Sequence, residues 1–436
     1  MIYFIGIKGT GMAALACILN DLGYEVSGSD LTKHFFTEDE LDQRNITIYP
    51  FNPTNIKDHM TVIIGNAFLE DFAEVKAARA NPTVTCYRYH EYLGQFMKKY
   101  NAFSVAGSHG KTTTTGMLAT VLNEVEDTAY LIGDGTGHVD GDSKNIVVES
   151  CEFRRHFLAY YPDYAIITNI EIDHVDYFKS KEDYFLAYQE FCQNIKKAVI
   201  LFGDDLECRR IKTSTPQYFY GINENNDVYA SNIVETTNTT EFDLYFHKVF
   251  QYHFKLHLVG RHLLWNGLGV ITVGLLKKMS CEQIEKGLNN FKGVKRRYVV
   301  EKHGDNIFID DYAHHPTEVK VTLESTRLRY PDKKIIAIFK PHRVSRVFYF
   351  RDEFKEALSL ADEVYLCDFT SIDDQEEGID IDINYLKDVI PHAKILPENE
   401  KGAKILSQYH DVVYLFMSSK DIYFLANLVK KLQDNA

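Results

Sequence analysis

The chain has 436 residues, which is too long for one hydrophobic core and suggests about three domains. Its composition is that of an ordinary globular protein, and its net charge of −14 argues against a general affinity for nucleic acid or acidic membranes. The seven cysteines are dispersed without a CxxC pair, and the first apolar run is too short for a signal peptide or a membrane span. We therefore expect a cytoplasmic protein with reduced thiols that binds neither nucleic acid nor membrane.

The first part of the chain alternates short apolar runs with helical patterns. The pattern predicts a strand over Ile2–Ile7, a helix over Gly11–Leu22, a strand over Tyr24–Ser27 and a later strand over Thr61–Ile64. This alternation is typical of a parallel sheet. It predicts a first domain of residues 1–97.

Glycines cluster at the first strand-to-helix turn of this domain. Gly6, Gly9 and Gly11 occupy the turn, and Asp30 lies near the predicted end of the second strand. The run from Gly9 to Ala14 fits GxGxxA, which is also found in nicotinamide-dependent dehydrogenases. The same geometry can bind any pyrophosphate at a helix N-terminus, including that of UDP.

A second alternation begins with a strand over Ala102–Ala106 and a helix over Lys111–Asn123. The loop between them, from Gly107 to Gly110, is followed by Lys111 and Thr112. Glycines let backbone N–H groups face a phosphate, the lysine can bridge β- and γ-phosphates, and the threonine can hold Mg²⁺. The loop predicts binding of ATP with Mg²⁺, although Val105 stands where the strict pattern has glycine.

Two further strands of this unit end in polar side chains. Glu149 follows the predicted strand Ile146–Val148, and His174 follows Tyr164–Thr168. The carboxyl ends of parallel strands converge on one crevice, so both side chains are expected beside the phosphate loop. A carboxylate there can hold Mg²⁺, whereas histidine is a less usual Mg²⁺ ligand.

The rest of the second unit changes its pattern. From residue 227 to residue 259 apolar residues recur with period two between Asn/Thr-rich turns, which predicts an antiparallel part of the sheet. A mostly apolar, buried helix is predicted over Leu263–Lys277. The unit ends near the basic run 295–297, which predicts a second domain of residues 98–295.

The third unit, residues 296–436, repeats the alternation of strands and helices. Its predicted strands are Asn306–Ile309, Ile335–Phe339, Glu363–Cys367 and Val412–Met417. Acids and histidines follow the first strand (310–316), and a histidine with two arginines follows the second (340–346). Such groups at neighbouring strand ends can bind carboxylates and amines and stabilise phosphoryl charge.

With these motifs in this order, the chain resembles the Mur ligase family over nearly its whole length. The run 107–113 is the family's own form of the phosphate loop, which accounts for Val105. The run 168–174 resembles its strand-to-metal-histidine motif, and the runs 310–316 and 341–346 resemble motifs of its alanine-adding branch. The resemblance implies an α/β protein of three domains: an N-terminal Rossmann-like UDP-binding sheet, a central, mostly parallel ATPase-type sheet with a small antiparallel part, and a C-terminal Rossmann-like domain.

The resemblance also implies a role for each motif. The residues implied in UDP-sugar binding are Gly6, Gly9, Thr10, Gly11, Met12, Ser29 and Asp30. Those implied in ATP binding are Gly107, Ser108, His109, Gly110, Lys111, Thr112, Thr113, Asn266, Arg297 and Asp311. The metal ligands would be Thr112, Glu149 and His174. The catalytic residues would be Lys111, Glu149, His174, His314, His342 and Arg346, and the acceptor and amino acid would contact Glu152, His342, Arg343 and Arg346.

The reaction implied is amide formation between the carboxylate of UDP-N-acetylmuramate and L-alanine through an acyl phosphate, with ATP and Mg²⁺, in peptidoglycan precursor synthesis. We expect a monomer or a weak homodimer. Three alternatives stay open: a ligase that recycles murein tripeptide onto the same UDP-sugar, a nicotinamide-dependent dehydrogenase, and a non-catalytic binding homologue.

The chain departs from the family pattern at a few positions. Lys340 stands where the family has glutamine, and the run Ser418-Ser419-Lys420 replaces a glycine-containing loop. Gln189 lies where some members carry a carbamylated lysine, so we expect no carbamate.

Overall fold

The computed structural model describes residues 1–370 and 378–434 and contains three sheets that follow one another along the chain. All three are wholly or mostly parallel, and helices pack on their faces. This is the three-domain α/β fold that the sequence predicted. No helix among the described residues is long and apolar enough to cross a membrane.

The first sheet is entirely parallel, with strand order β3-β2-β1-β4-β5. All four residues of β1 are buried, as expected for a parallel strand covered on both faces. The strands are β1 (Ile2–Ile5), β2 (Val26–Asp30), β3 (Thr47–Pro50), β4 (Thr61–Ile64) and β5 (Thr85–Arg88); the helices are α1 (Thr10–Asp21), α2 (Glu38–Gln43), α3 (Ala73–Ala80) and α4 (Tyr89–Met97).

The second sheet has ten strands in the order β15-β14-β13-β12-β11-β10-β6-β9-β7-β8. It is parallel at its centre, and β13, β14 and β15 form the predicted antiparallel part. The strands are β6 (Asn101–Ala106), β7 (Thr128–Leu131), β8 (Gly137–His138), β9 (Asn145–Glu149), β10 (Tyr164–Ile167), β11 (Ala198–Phe202), β12 (Gln217–Gly221), β13 (Val228–Glu235), β14 (Thr240–Phe246) and β15 (Val249–Leu256). The helices are α5 (Lys111–Asn123), α6 (Lys181–Cys192), α7 (Leu206–Arg210), α8 (Arg261–Leu276) and α9 (Cys281–Asn290).

Within the described residues the third sheet has six strands in the order β16-β17-β21-β18-β19-β20, of which only the β16–β17 pair is antiparallel. The strands are β16 (Val299–His303), β17 (Asn306–Asp311), β18 (Lys334–Phe339), β19 (Glu363–Leu366), β20 (Lys394–Ile395) and β21 (Val412–Met417). The helices are α10 (Pro316–Arg329), α11 (Val344–Tyr349), α12 (Arg351–Leu358), α13 (Asn384–Lys387), α14 (Glu400–Leu406) and α15 (Phe424–Asp434).

The strand orders place the candidate functional segments at the ends of strands from which the connections to neighbouring strands lead in opposite directions. β6 lies between β9 and β10, and β17 and β18 flank β21. In open parallel sheets ligands bind at such points, beyond the carboxyl ends of the strands. The phosphate loop follows β6, and the polar runs of the third unit follow β17 and β18.

Local sequence signals predicted some element bounds and missed others. The bounds of α5 and β21 are those predicted. The strand predicted over Tyr24–Ser27 is instead Val26–Asp30, because the N–H of Tyr24 donates to Leu19 O (3.0 Å) and still belongs to the end of α1. The helix predicted over Leu263–Lys277 is instead Arg261–Leu276.

Leu415 lies in the middle of β21, where it is fully buried between β17 and β18. Leu415→Ala is expected to destabilise the third unit by about 2–5 kcal/mol, because it removes buried methyl groups and leaves a cavity. Urea unfolding followed by circular dichroism measures the effect. Leu360→Ala, at an exposed site of the same unit, is the matched control and should leave the transition nearly unchanged. Equal losses in the two variants would contradict the assigned core.

Candidate functional site

The loop between β6 and α5 can be built only with glycines at its two ends. Gly107 has a φ of +139° and Gly110 a φ of +79°. A Cβ on Gly107 would lie 2.0 Å from Thr168 Oγ1, and one on Gly110 would lie 2.7 Å from Asn266 Oδ1. The backbone is therefore held tightly against β10 and α8, and α5 begins directly at Lys111 with its N-terminus turned towards the loop.

The Lys111 side chain folds over this loop and onto a buried carboxylate. Its Nζ donates to Ser108 O (3.1 Å) and lies 3.0 Å from an oxygen of Glu152, which is 1% exposed. Burial alone would lower the pKa of Lys111, but the nearby acidic groups, of which Glu152 has the largest effect, together raise it. His174 Nε2 lies 3.7 Å from the other oxygen of Glu152. Glu152 thus lies between the lysine and the histidine predicted to be catalytic.

Two of the predicted metal ligands, Glu149 and His174, lie close enough to Lys111 for its charge to act on both. Glu149 Oε2 accepts from Gly133 N–H (2.8 Å), and burial raises the pKa of Glu149 despite the nearby charges of Lys111 and Arg297. Burial lowers the pKa of His174, whose Nδ1 is buried and has no hydrogen-bond partner among the described residues. Mg²⁺ prefers oxygen ligands. One or more of these ions would fit the carboxylates of Glu149 and Glu152, the hydroxyl of Thr112 and the neutral imidazole of His174.

A cavity of about 470 Å³ opens beside the phosphate loop, between the second and third units. Aromatic side chains line one wall, and the indole N–H of Trp265 is buried there without a hydrogen-bond partner among the described residues. The size and the mixed apolar and polar lining suit a nucleoside. Six of the residues predicted to bind ATP line it: His109, Gly110, Thr113, Asn266, Arg297 and Asp311.

A second cavity of about 330 Å³ is lined by residues of all three units. Thr10 and Gly11 come from the first glycine-rich turn, and Thr112 and Glu149 come from the second unit. The third unit contributes Tyr312, Ser419 and neighbouring residues. Two residues of the predicted UDP-sugar loop and two of the three predicted metal ligands therefore face one common space, whereas His174 is not among the residues that line it.

The other residues of the first turn mainly support its shape. Lys8 N–H donates to Asp30 Oδ2 (2.8 Å), and the Lys8 ammonium contacts Glu38 (2.6 Å). Met12 is buried, and the buried Ser29 hydroxyl donates to the Glu74 carboxylate. The Ser29 side chain therefore faces the interior of the first unit, while Gly6 and Gly9 shape the turn itself.

The two arginines after β18 contact the segment around His174. Arg346 is 4% exposed; its Nε and Nη2 both donate to Asp173 Oδ1 (3.1 and 2.7 Å), and its Nη1 donates to His342 O (2.7 Å). Arg343 Nη1 donates to Asp176 (2.7 Å). In this arrangement both guanidinium groups join the third unit to the second, whereas the sequence analysis assigned them to substrate carboxylates.

The acids and histidines after β17 lie against the phosphate loop. Burial raises the pKa of Asp311 to about 6, and Asp311 Oδ1 accepts from Ala313 N–H (2.7 Å). His314 Nδ1 lies 3.1 Å from Glu318 Oε2. Glu318 also lies 3.6 Å from His109 Nδ1 and 3.3 Å from Arg297, so it ties the start of α10 to the nucleotide side of the site.

Sequence reasoning named no role for several residues that the structure places here. Asp173, Thr317 and Glu318 each join the second and third units, and Glu171 bonds both His109 (3.1 Å) and Thr317 (2.8 Å). Asp173 and Glu171 stand beside His174 in the sequence, and Glu318 stands three residues after His315. Their nearness in sequence to predicted site residues could have suggested a role. It could not identify their partners, which are distant in sequence.

Comparisons with known proteins agree with this architecture. Three family models match consecutive parts of the chain: "Mur ligase family, catalytic domain" over residues 1–101, "Mur ligase middle domain" over residues 105–274, and "Mur ligase, glutamate ligase domain" over residues 295–418. Together they span most of the described sequence. The protein belongs to the Mur ligase family of amide ligases.

Solved structures similar to the chain support the same conclusion. The UDP-N-acetylmuramate-alanine ligase MurC from Thermotoga maritima is 25% identical, with a TM-score of 0.83 over 100% of this chain and 99% of that chain. The murein peptide ligase Mpl from Psychrobacter arcticus is 22% identical, with a TM-score of 0.74 and coverages of 100% and 99%. MurF ligase from Thermotoga maritima, solved in complex with ADP, is 17% identical, with a TM-score of 0.66 and coverages of 96% and 97%. The last two likenesses show the fold alone.

Gly107→Ala tests the geometry of the phosphate loop. The added Cβ meets Thr168 and strains a backbone conformation that only glycine adopts readily, which costs about 1–3 kcal/mol. The affinity for ATP, measured by titration calorimetry, is expected to fall about 10- to 100-fold. Gly141→Ala is the control, because no atom lies within 4 Å of its added Cβ. Normal ATP affinity in Gly107→Ala would show that the loop does not cradle the nucleotide.

Proposed function

We propose that the protein is an ATP-dependent carboxylate–amine ligase that joins L-alanine to UDP-N-acetylmuramate. The observation that carries this proposal is the 330 Å³ cavity, which the glycine-rich turn of the first unit shares with Thr112 and Glu149 of the second. A UDP-sugar held at Gly11 would extend its acyl end towards the phosphate loop. The match in fold and length to the Thermotoga maritima alanine ligase supports the same substrates.

In the proposed reaction the muramate carboxylate attacks the γ-phosphorus of ATP, ADP leaves, and an acyl phosphate forms. The alanine amine then attacks the acyl carbon, and phosphate leaves from a tetrahedral intermediate as the amine loses its proton. Lys111 lies where its ammonium can exchange Glu152 for phosphate oxygens and neutralise their charge. Contacts between the second and third units would exclude water from the acyl phosphate.

Thr112 and Glu149 would hold one Mg²⁺ ion beside the phosphate loop, and Glu152 with His174 would hold a second. When bound, the ions would supply positive charge to the transferring phosphoryl group. Within the described residues Glu152 Oε2 has no hydrogen-bond partner, and His174 Nε2 lies 3.7 Å from Glu152 Oε1, so these are the atoms that the second ion would satisfy.

On the amine side we propose that His342, Arg343 and Arg346 orient the amino acid. His342 Nδ1 lies 2.8 Å from Ser419 Oγ, and Ser419 lines the cavity shared by the three units. Because Arg346 donates to Asp173, its effect on the amino acid would pass through His342, whose carbonyl it also binds. The three residues would thus form one positioned loop.

One experiment distinguishes the candidate functions. ADP release is measured with UDP-N-acetylmuramate while the amine is varied among L-alanine, glycine, serine and the murein tripeptide. Release that depends on L-alanine supports the proposal, and release that depends on the tripeptide favours the recycling ligase.

UDP-N-acetylmuramate should also stabilise the protein by about 2.7 kcal/mol at a hundredfold excess over Kd. Stabilisation by NADH instead, without ADP release, would favour the dehydrogenase.

Lys111→Ala is expected to reduce ATP turnover about 100-fold or more, because one charge contact to the transferring phosphoryl group is lost. Binding of UDP-N-acetylmuramate should survive, since its loop lies in the first unit. A coupled ADP assay and titration calorimetry measure the two properties. Lys144→Ala, at an exposed lysine of the same unit, serves as the control. Near-normal turnover in Lys111→Ala would remove the phosphate loop from the proposed site.

Arg346→Lys keeps the charge but cannot reproduce the planar group that binds both Asp173 and His342 O. Losing charge-assisted hydrogen bonds costs about 1.5–3 kcal/mol, so kcat/KM for alanine is expected to fall roughly tenfold or more. Arg351→Lys changes an arginine that binds Tyr385 O in the same unit and should leave the kinetics unchanged. If both variants keep the wild-type kcat/KM, Arg346 does not position the loop that carries His342 and Arg343.

A further inference from the structure

A cluster of two histidines and one glutamate includes none of the predicted Mg²⁺ ligands. His109 Nε2 is 3.1 Å from Glu171 Oε2, and the rings of His109 and His315 have centroids 4.5 Å apart. One nitrogen or oxygen of each residue lies within 4.8 Å of the other two. Zn²⁺ binds imidazole nitrogen and carboxylate oxygen at about 2.0–2.2 Å, so shifts of under about 1 Å per side chain would complete a site.

One of these side chains lacks the partner that its burial demands. His315 is 1% exposed, and its Nε2 has no hydrogen-bond partner within the part of the chain that the structure describes. Buried polar atoms are almost always paired, and each exception needs a ligand or another explanation. Burial also lowers the pKa of His315 to about 3, so its ring is neutral and can offer a lone pair.

Further residues support the cluster from outside. His109 Nδ1 lies 3.6 Å from Glu318 Oε1, and Glu171 Oε1 accepts from the Thr317 hydroxyl (2.8 Å). Histidine ligands of metals commonly direct their second nitrogen at a carboxylate, and carboxylate ligands are commonly hydrogen-bonded in turn. Glu171 lines both the 470 Å³ cavity and a third cavity of about 560 Å³, which gives an ion a path from solvent.

Two features oppose metal binding. Burial would lower the pKa of His109, but the hydrogen bonds and charges of Glu171 and Glu318 raise it to about 9, so a metal ion must displace a proton from this ring. His315 Nδ1 accepts from Thr317 N–H at 3.4 Å, which places the ring proton on Nε2 in the metal-free protein. A metal at Nε2 requires that proton to move to Nδ1, and this long contact is then lost. The start of α10 would stay capped, because Glu318 Oε2 accepts from the N–H groups of His314 (3.1 Å) and His315 (3.3 Å).

We propose that His109, Glu171 and His315 bind one divalent transition-metal ion, best matched by Zn²⁺. Two imidazoles and one carboxylate suit this class of ion, whereas Mg²⁺ and Ca²⁺ prefer oxygen ligands. The ligands come from the phosphate loop, the segment after β10 and the start of α10, so the ion cross-links the third unit to the second. The proposal concerns binding alone and does not depend on the proposed reaction.

Cobalt binding tests this site directly. Chelator-treated full-length protein, kept in excess Mg²⁺ to fill oxygen-rich sites, is titrated with Co²⁺, and then Zn²⁺ is added in competition. The expected result is one equivalent of Co²⁺ with the d–d absorption of tetrahedral coordination, displaced by Zn²⁺. The proposal is overturned if the wild-type protein gives no tetrahedral band. It is also overturned if the protein gives a sulfur-to-cobalt charge-transfer band, which would show that a cysteine binds the ion.

Variants assign the ligands. Glu171→Gln, which is nearly isosteric, and His315→Asn are each expected to weaken Zn²⁺ binding more than about 100-fold, since even supporting residues account for 10- to 100-fold. Circular dichroism and Tm verify folding, and Glu171→Gln remains decisive if His315→Asn does not fold. His253→Asn is the matched control, because exposed His253 also lies between two carboxylates, 2.7 and 3.8 Å away. Unchanged affinity in Glu171→Gln, or loss of the site in His253→Asn, overturns the assignment.

Discussion

The arrangement of the site depends on the buried ion pair between Asp173 and Arg346. Both side chains are almost fully enclosed, at 8% and 4% exposure, and they belong to different units of the chain. Burial would raise the pKa of Asp173, but the charge of Arg346, together with smaller contributions from nearby histidines, holds the pKa well below its ordinary value. Such a pair contributes little net stability, because desolvation offsets the attraction, yet breaking it leaves a buried charge alone. Its main effect is therefore geometric: it fixes the third unit beside His174.

Glu152 provides the second constraint, because it lies beside two side chains that have separate roles in the proposed reaction. Glu152 neutralises Lys111 and lies 3.7 Å from His174 Nε2. A nucleotide arriving at the loop would compete for the lysine, and the released carboxylate would then face the metal ions. The buried charge is thus never left without an opposite charge, which makes a lysine and a carboxylate tolerable in this enclosed position.

The sequence predicted what is encoded locally and missed what depends on distant pairs. The phosphate loop needs only a strand, two glycines and a helix start, so its bounds follow from neighbouring residues. The three-domain α/β class likewise follows from periodicity. The partner of Arg346 is 173 residues away, and no property of either residue alone identifies it. Roles assigned to individual residues, such as Arg343 as a carboxylate clasp, came from resemblance and stay predictions, because substrate contacts depend on a bound geometry.

The loop after β21 lacks the glycines of the family pattern. A contact between residues that are distant in sequence compensates for that change. The guanidinium group of Arg296 donates to the carbonyls of Ser418 (2.9 Å), Ser419 (3.3 Å) and Lys420 (2.8 Å). None of these three residues has a positive φ, so the loop needs no glycine to adopt this shape. Arg296 belongs to the segment that leads from the second unit into the third, and Ser419 contacts His342. The segment between the two units is therefore connected, through the loop after β21, to the residues that follow β18.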